Sequence, residues 1–172
     1  MDITQKAQLV KLLILDVDGV MTDGKVVYTD SGEELKFFDS RDGHGIKMLM
    51  RTGIEVAIIT GRISKAVEHR AANLGIAMVY QNALNKIEAY EEIAASKNLA
   101  DQDICAFGDD LPDIPLLRRA GLAVAVPDAV DEVLASAHYT TRHAGGDGAV
   151  REICDLIMKA QGSWQTVISR YY

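Results

Sequence analysis

The chain has 172 residues, 48% of them apolar and 25% charged, a composition that excludes global disorder and suits one domain, residues 1–172, around a single core. Its 18 basic against 25 acidic residues leave a formal charge of −7, and no run of Lys and Arg is present to track a phosphate backbone, which argues against a nucleic-acid partner. The longest early apolar stretch, Leu9 to Leu15, is broken by Lys11 and followed by Asp16, too short to cross a membrane and without a cleavage-type flank, so a cytoplasmic protein is expected.

Residues 11–17 (KLLILDV) form an apolar run stopped by Gly19, which fits a strand buried on both faces. KVVYT and ELKFF follow, separated by Asp30, Ser31, Gly32 and Glu33, and this spacing predicts a hairpin over about 25–38 that projects from the sheet. From Asp42 to Met50 the pattern puts Ile46, Leu49 and Met50 on one helical face, with Gly53 as a stop. The alternation continues with a strand at 55–60, a helix at 64–74 closed by Gly75, a strand at 77–80 and a helix at 86–97. A strand at 103–107, a helix at 115–120 and a strand at 122–126 complete it. Strict alternation predicts an α/β fold: a three-layer, Rossmann-like parallel sheet with helices on both faces.

Beyond Pro127 a helix carrying Ala129, Val133 and Leu134 is expected, then a short Tyr139–Thr141 segment and the glycines Gly145, Gly146 and Gly148. Val150, Ile153 and Ile157 give residues 149–160 the apolar stripe of a last helix. The tail, about 162–172, carries Trp164, Val167, Ile168 and two Tyr with no evident core to enter, and reads as a disordered end or a docking segment. Cys105 and Cys154 are too few for a disulfide framework or a thiolate zinc site and are read as buried thiols.

In open α/β sheets ligands bind beyond the carboxyl ends of the strands. There the chain places Asp16 and Asp18 after the first strand, Thr60, Gly61 and Arg62 after the second long one, Asp109 and Asp110 after ICAF, and Lys86 at the start of a helix. Carboxylates crowded in a partly dry cleft need a cation, and hard oxygen donors without Cys or paired His select Mg²⁺. A threonine and a lysine beside that ion suit a phosphate ligand. Asp16 is then positioned to attack phosphorus, and Asp18 to protonate the leaving oxygen and afterwards take a proton from water. Singly these features are ordinary: Asp is common at turns, Gly-Asp-Asp suits a helix cap, and Lys86 by default is a solvated helix residue. Their coincidence at successive strand ends is what carries the reading.

The series DVDGVMTDG, IITGR, Lys86 and GDDLPD resembles the haloacid dehalogenase superfamily of phosphohydrolases, with all four motifs in order. RDGHGIKML, AGGDGAVREICDLIMKAQG and the lack of an inserted cap domain extend the resemblance over nearly the whole chain. They point to the cap-less, tetrameric 3-deoxy-D-manno-octulosonate 8-phosphate phosphatases of lipopolysaccharide precursor synthesis.

The resemblance implies an aspartyl-phosphate route. Asp16 is the nucleophile and a metal ligand, Asp18 the general acid/base whose carbonyl also binds the metal, Asp109 the remaining protein ligand, and Asp110 an acid behind the ligands. It also implies phosphate binding by Thr60, Gly61 and Lys86, and basic residues near the substrate at Arg62 and Arg70. Finally, it implies a homotetramer in which the hairpin of one subunit covers a neighbour's site. An exposed hairpin carrying Val26, Val27, Tyr28, Phe37 and Phe38 independently suggests association. His69, His138 and His143 are read as surface or structural.

Three alternatives stand beside this reading. One is a phosphatase of a nine-carbon keto sugar acid 9-phosphate. Another is a phospho-accepting receiver module, against which stands Asp18, an acid such a module does not need. The last is a catalytically silent oligomerisation domain, against which stands the full set of catalytic positions.

Overall fold

Local capping and apolar spacing set the elements of the computed structural model, which describes residues 1–172. A reciprocal Asp2–Gln5 cap opens α1 (Ile3–Leu9), a short helix that buries only Ala7 and leaves little periodic signal in the sequence. β1 (Leu12–Leu15) is wholly buried, and the hairpin that follows pairs β2 (Val27–Tyr28) with β3 (Glu34–Leu35). Next come α2 (Ser40–Met50), β4 (Glu55–Ile59), α3 (Lys65–Leu74), β5 (Met78–Tyr80), α4 (Lys86–Lys97) and β6 (Ile104–Gly108). α5 (Ile114–Arg119), β7 (Leu122–Ala125), α6 (Asp131–Ser136), β8 (Tyr139–Thr140), α7 (Ala149–Ala160) and α8 (Trp164–Ile168) complete the chain. α2 begins two residues earlier than the spacing predicts, because Asp39 accepts from the backbone N–H groups of Arg41 and Asp42 and so caps it.

Six strands form one parallel sheet in the order β5-β4-β1-β6-β7-β8, as the alternation predicts. β8, expected only as a short segment, closes the edge because Tyr139 and Thr140 pair with Val124 and Ala125. α1 and α2 both pack on α7 in one helix layer, while α4, α5 and α6 pack in sequence in the other. No helix is long and apolar enough to cross a membrane. Cys105 and Cys154 are free and buried, as expected. β1 and β6 lie side by side, yet the chain leaves β1 towards β4 and leaves β6 towards β7. That reversal opens a crevice at their carboxyl ends, and Asp16 and Asp109 are the residues that follow those two strands.

The tail docks on its own chain. Val167 is buried, Trp164 and Ile168 pack against the core, and Lys159 lies over the Trp164 ring at 4.8 Å. The Tyr171 hydroxyl lies 2.7 Å from His44 Nε2 and accepts from Arg51 at 3.0 Å. Phe38, read from sequence as part of the exposed hairpin patch, instead packs against the core with the Arg70 guanidinium 5.5 Å above its ring.

The glycine cluster before α7 grips the loop after β1. Gly146 N–H donates to the Val20 carbonyl at 3.1 Å, and a Cβ on Gly145 would collide with the Gly19 carbonyl. Backbone meets backbone there, so no side chain can yield. Gly145→Ala is therefore expected to cost about 1–3 kcal/mol and to lower turnover by shifting the loop that carries Asp18, read by thermal melting and kcat.

Candidate active site

β1 delivers Asp16 to the crevice, and the chain must then turn at once to bring Asp18 alongside. Gly19 makes that turn at φ +93°, a backbone setting that favours glycine, and a Cβ there would strike the Asp109 carboxylate. Gly108, at the end of β6, is bare for a matching reason: a Cβ would strike Asp113. A single 3-10 turn over Leu111–Asp113 brings the Asp113 carboxylate back under the strand end. There it accepts from the backbone N–H groups of Asp109 at 3.1 Å and Asp110 at 3.4 Å.

Lys86, the first residue of α4, is buried and donates to Asp16 Oδ1 and to Asp113 Oδ1, each at 2.6 Å. Burial works against its ammonium, but the two carboxylates outweigh that and hold its pKa above the ordinary value. Its charge does not suffice for the group. Burial first, then the charges of Asp16 and Asp113, push Asp109 up to about 8, while burial and Asp113 push Asp16 up to about 6 against the pull of Lys86. Asp109 Oδ1 is buried without a hydrogen-bond partner, and oxygens of Asp16, Asp109 and Asp113 lie within 4.8 Å of one another. Three hard oxygen donors, one of them unpartnered, in a site short of positive charge fit a small divalent cation.

A pH dependence follows. Asp16 and Asp109 have folded-state pKa values above the unfolded value of about 4, so the metal-free fold is favoured below that value and loses stability as pH rises through 6 and then 8. Cation binding requires the ionised carboxylates and so strengthens over the same range. Added Mg²⁺ should therefore raise the melting temperature more at pH 8.5 than at pH 6, in matched melts with and without the ion.

The cleft above these groups measures about 350 Å³ and is lined by Asp16, Asp18, Thr60, Gly61, Arg62, Lys86, Asp109 and Asp110. A larger cavity of about 510 Å³ beside α7 contains none of them, so chemistry rather than size marks the site. Thr60 is buried where β4 ends and Gly61 leaves its surroundings open, which suits close approach of a phosphate. Arg70 stands apart on α3, where its guanidinium donates to the Asp39 carbonyl at 2.9 Å and serves the start of α2. Asp110 is exposed and accepts from the next backbone N–H at 2.8 Å, so the buried acid behind Asp16 and Asp109 is Asp113 rather than Asp110. The spacing Asp109-x-x-x-Asp113 with Pro112 between was the available signal, since one tight turn returns the second carboxylate beneath the first.

Lys36 also escaped the sequence reading. It pairs with Asp18 and lies 3.1 Å from Glu34 Oε1, with only 2% of its side chain exposed. Arg62 binds the same Glu34 oxygen at 3.0 Å, lies 3.8 Å from Asp18 Oδ2 and donates to the Tyr28 hydroxyl at 3.1 Å. Alternation along a strand puts Glu34 and Lys36 on one face and Leu35 and Phe37 on the other. The polar face turns inward to the site, and the apolar face turns outward, leaving Phe37 69% exposed.

A parallel sheet whose switch point gathers acidic side chains around one buried lysine defines a haloacid dehalogenase-like hydrolase, and residues 72–153 match that family. Within it the chain belongs to the 3-deoxy-D-manno-octulosonate 8-phosphate phosphatases. It is 49% identical to KdsC, the enzyme of that name from Escherichia coli K12, over 94% of this chain and 86% of that protein. The crystal structure of the Yersinia pestis phosphatase superposes with a TM-score of 0.94 at 49% identity, covering 95% of this chain and 89% of that one. The Moraxella catarrhalis phosphatase, solved with magnesium, phosphate and KDO, superposes at 0.96 with 39% identity, covering 98% and 97%.

Proposed function

We propose that the chain is a magnesium-dependent phosphomonoesterase that converts 3-deoxy-D-manno-octulosonate 8-phosphate to the free sugar acid and phosphate in lipopolysaccharide precursor synthesis. The observation that carries this reading is the Asp16 carboxylate, held at the floor of the cleft by buried Lys86 and adjoining the unpartnered oxygen of Asp109. The Moraxella complex supports the ligand assignment, since that related protein holds magnesium, phosphate and the sugar acid together.

Asp16 attacks phosphorus as the bond to the sugar oxygen breaks; the electron pair leaves on that oxygen, which takes the proton of Asp18. Asp18, now a carboxylate, accepts a proton from water as the water oxygen attacks the aspartyl phosphate and frees Asp16. Thr60, Gly61 and Lys86 grip the phosphoryl oxygens. Asp16, Asp109 and the Asp18 carbonyl would hold magnesium, whose charge would neutralise those oxygens. Arg62 at the cleft mouth, with Nη2 on Glu34 and Nε towards Asp18, keeps Nη1 to meet the sugar carboxylate. Arg70, turned to α2, would meet a ligand only across a subunit boundary.

Residues 1–172 act as one domain, in the cytoplasm, as a homotetramer whose neighbour completes the sugar pocket. The exposed apolar side chains of the hairpin support association, with Val26 48%, Tyr28 58%, Leu35 43% and Phe37 69% exposed. Light scattering is expected to give four times the chain mass, and Phe37→Glu to shift it downward.

The deciding experiment is phosphate release from the eight-carbon substrate, a nine-carbon 9-phosphate and an aryl phosphate, with Mg²⁺ and then with chelator. The eight-carbon substrate should lead in kcat/KM by orders of magnitude, and chelator should stop the reaction. A lead for the nine-carbon substrate would keep the mechanism and change the pathway. A stable phosphoprotein with no turnover would replace the enzyme by a phospho-accepting module.

A further inference from the structure

We infer that Lys36 is a positioning residue for Asp18, which makes the hairpin part of the chain's own acid–base apparatus; the inference rests on the role proposed for Asp18. Lys36, Asp18, Arg62 and Glu34 form a closed ring of alternating charge. Lys36 binds Asp18 and, at 3.1 Å, Glu34; Arg62 binds Glu34 at 3.0 Å and approaches Asp18 at 3.8 Å. With Asp18 ionised, as it is when it takes a proton from water, two cations and two anions cancel within the ring; while Asp18 holds the proton it delivers, Glu34 still balances Lys36, whose side chain is only 2% exposed.

The two Asp18 oxygens are held unequally. Oδ1 is fixed by the Lys36 ammonium, whereas Oδ2 faces Arg62, itself a residue of the cleft wall, at a looser 3.8 Å. The ring thus anchors one oxygen and presents the other to the cleft, where the leaving sugar oxygen must collect its proton. Asp18 sits on the turn around Gly19, and the Thr22 hydroxyl reaches the Val17 carbonyl at 3.4 Å, so the backbone there is fixed. The carboxylate torsion is left for a side chain to set, and the hairpin supplies it. The inward polar side of the hairpin follows from this: Glu34 in β3 and Lys36, just beyond the strand, are spaced by two and reach the ring together.

A proton donor matters most when the leaving group is a poor one. A sugar alkoxide needs the proton as the P–O bond breaks, whereas nitrophenolate departs without it. In the transfer of phosphate to Asp16, read in single turnover so that the water attack common to both substrates is left out, Lys36→Met should therefore slow the sugar acid phosphate by about 10²-fold, the scale of an angstrom-level misplacement, with less than about a 3-fold loss on nitrophenyl phosphate. KM should stay within about 3-fold, because Lys36 does not line the cleft. Lys36→Arg should restore the sugar phosphate rate to within about 5-fold of wild type, and Asp18→Asn should show the same leaving-group pattern in stronger form.

Equal losses on both substrates, no loss on either, or no recovery with arginine would overturn the role of Lys36. Should the methionine variant fail to fold, Lys36→Gln keeps a donor of similar length without the charge and must show the same substrate-dependent loss. Wild-type protein inert towards both substrates would overturn the phosphatase reading and this role with it, whereas active wild-type protein with equal losses in the variants overturns the role alone.

Discussion

Asp16→Asn is expected to lower kcat by at least about 10⁴-fold while leaving the fold in place. The amide oxygen is a poor nucleophile for phosphorus, so the covalent route closes, and no neighbour replaces it. Asp109 belongs to a different strand end, and Asp113 is committed to Lys86 and to two backbone N–H groups. The fold should survive because burial and the Asp113 charge already push Asp16 up to about 6, so ionising it at neutral pH is a burden that the neutral amide lifts. Lys86 keeps Asp113 as a partner at 2.6 Å. Without added metal the melting temperature should match wild type within roughly 4 °C or exceed it, a range equal to about 1 kcal/mol in a chain of this size. The stabilisation given by Mg²⁺ should shrink, since one of the clustered carboxylates is lost. Retained turnover in a preparation free of host phosphatases would end the assignment of Asp16 as nucleophile.

Lys86→Met is expected to cost about 3–5 kcal/mol at pH 7.5, a fall of roughly 6–20 °C in melting temperature, and to abolish turnover. Lysine is here the counter-charge of two buried carboxylates; methionine fills the same channel and leaves both unpaired. The loss should depend on pH. Asp16 already titrates above its unfolded value of about 4, and removing the ammonium raises it further. The variant should then approach wild-type stability near pH 4, where the carboxyls are protonated, and fall away as pH climbs past 6. A deficit that is constant from pH 4 to pH 8 would show that Lys86 acts by packing rather than by charge. Magnesium should recover part of the loss by replacing one positive charge with another.

Much of this site was legible before folding was considered, because its residues sit at strand ends and strand ends are visible in the sequence. Asp16 and Asp109 close the apolar runs LLIL and ICAFG, and Lys86 opens a helix whose bounds match the sequence reading, 86–97. Gly75, expected to stop a helix, adopts the left-handed conformation that ends α3. The misses share a cause. Lys36 and Phe38 owe their places to partners remote in sequence, and nothing in their immediate neighbours distinguishes them from solvated or exposed residues; Asp113 depends on remote Lys86 as well as on the tight turn its spacing signals. The resemblance implies Asp110 for the acid behind the ligands, and the turn that instead carries Asp113 inward is set only in the folded chain. The tail stays open between disorder and docking in the sequence because the core that receives Trp164 and Val167 is assembled from distant segments, and the structure shows that it docks.

The sequence by itself determined the alternation of elements, the parallel α/β class, the strand-end chemistry and the superfamily it resembles. These depend on the periodicity of apolar residues and on motifs within a few positions of one another, which are local properties. Tertiary structure alone decided which acid lies beneath the nucleophile, which lysine holds Asp18, that Arg70 serves α2, and that the hairpin turns its charged face inward. Each of those outcomes is a balance between desolvation and pairing, and a buried charge is tolerable only where folding brings an opposite charge to within hydrogen-bond reach.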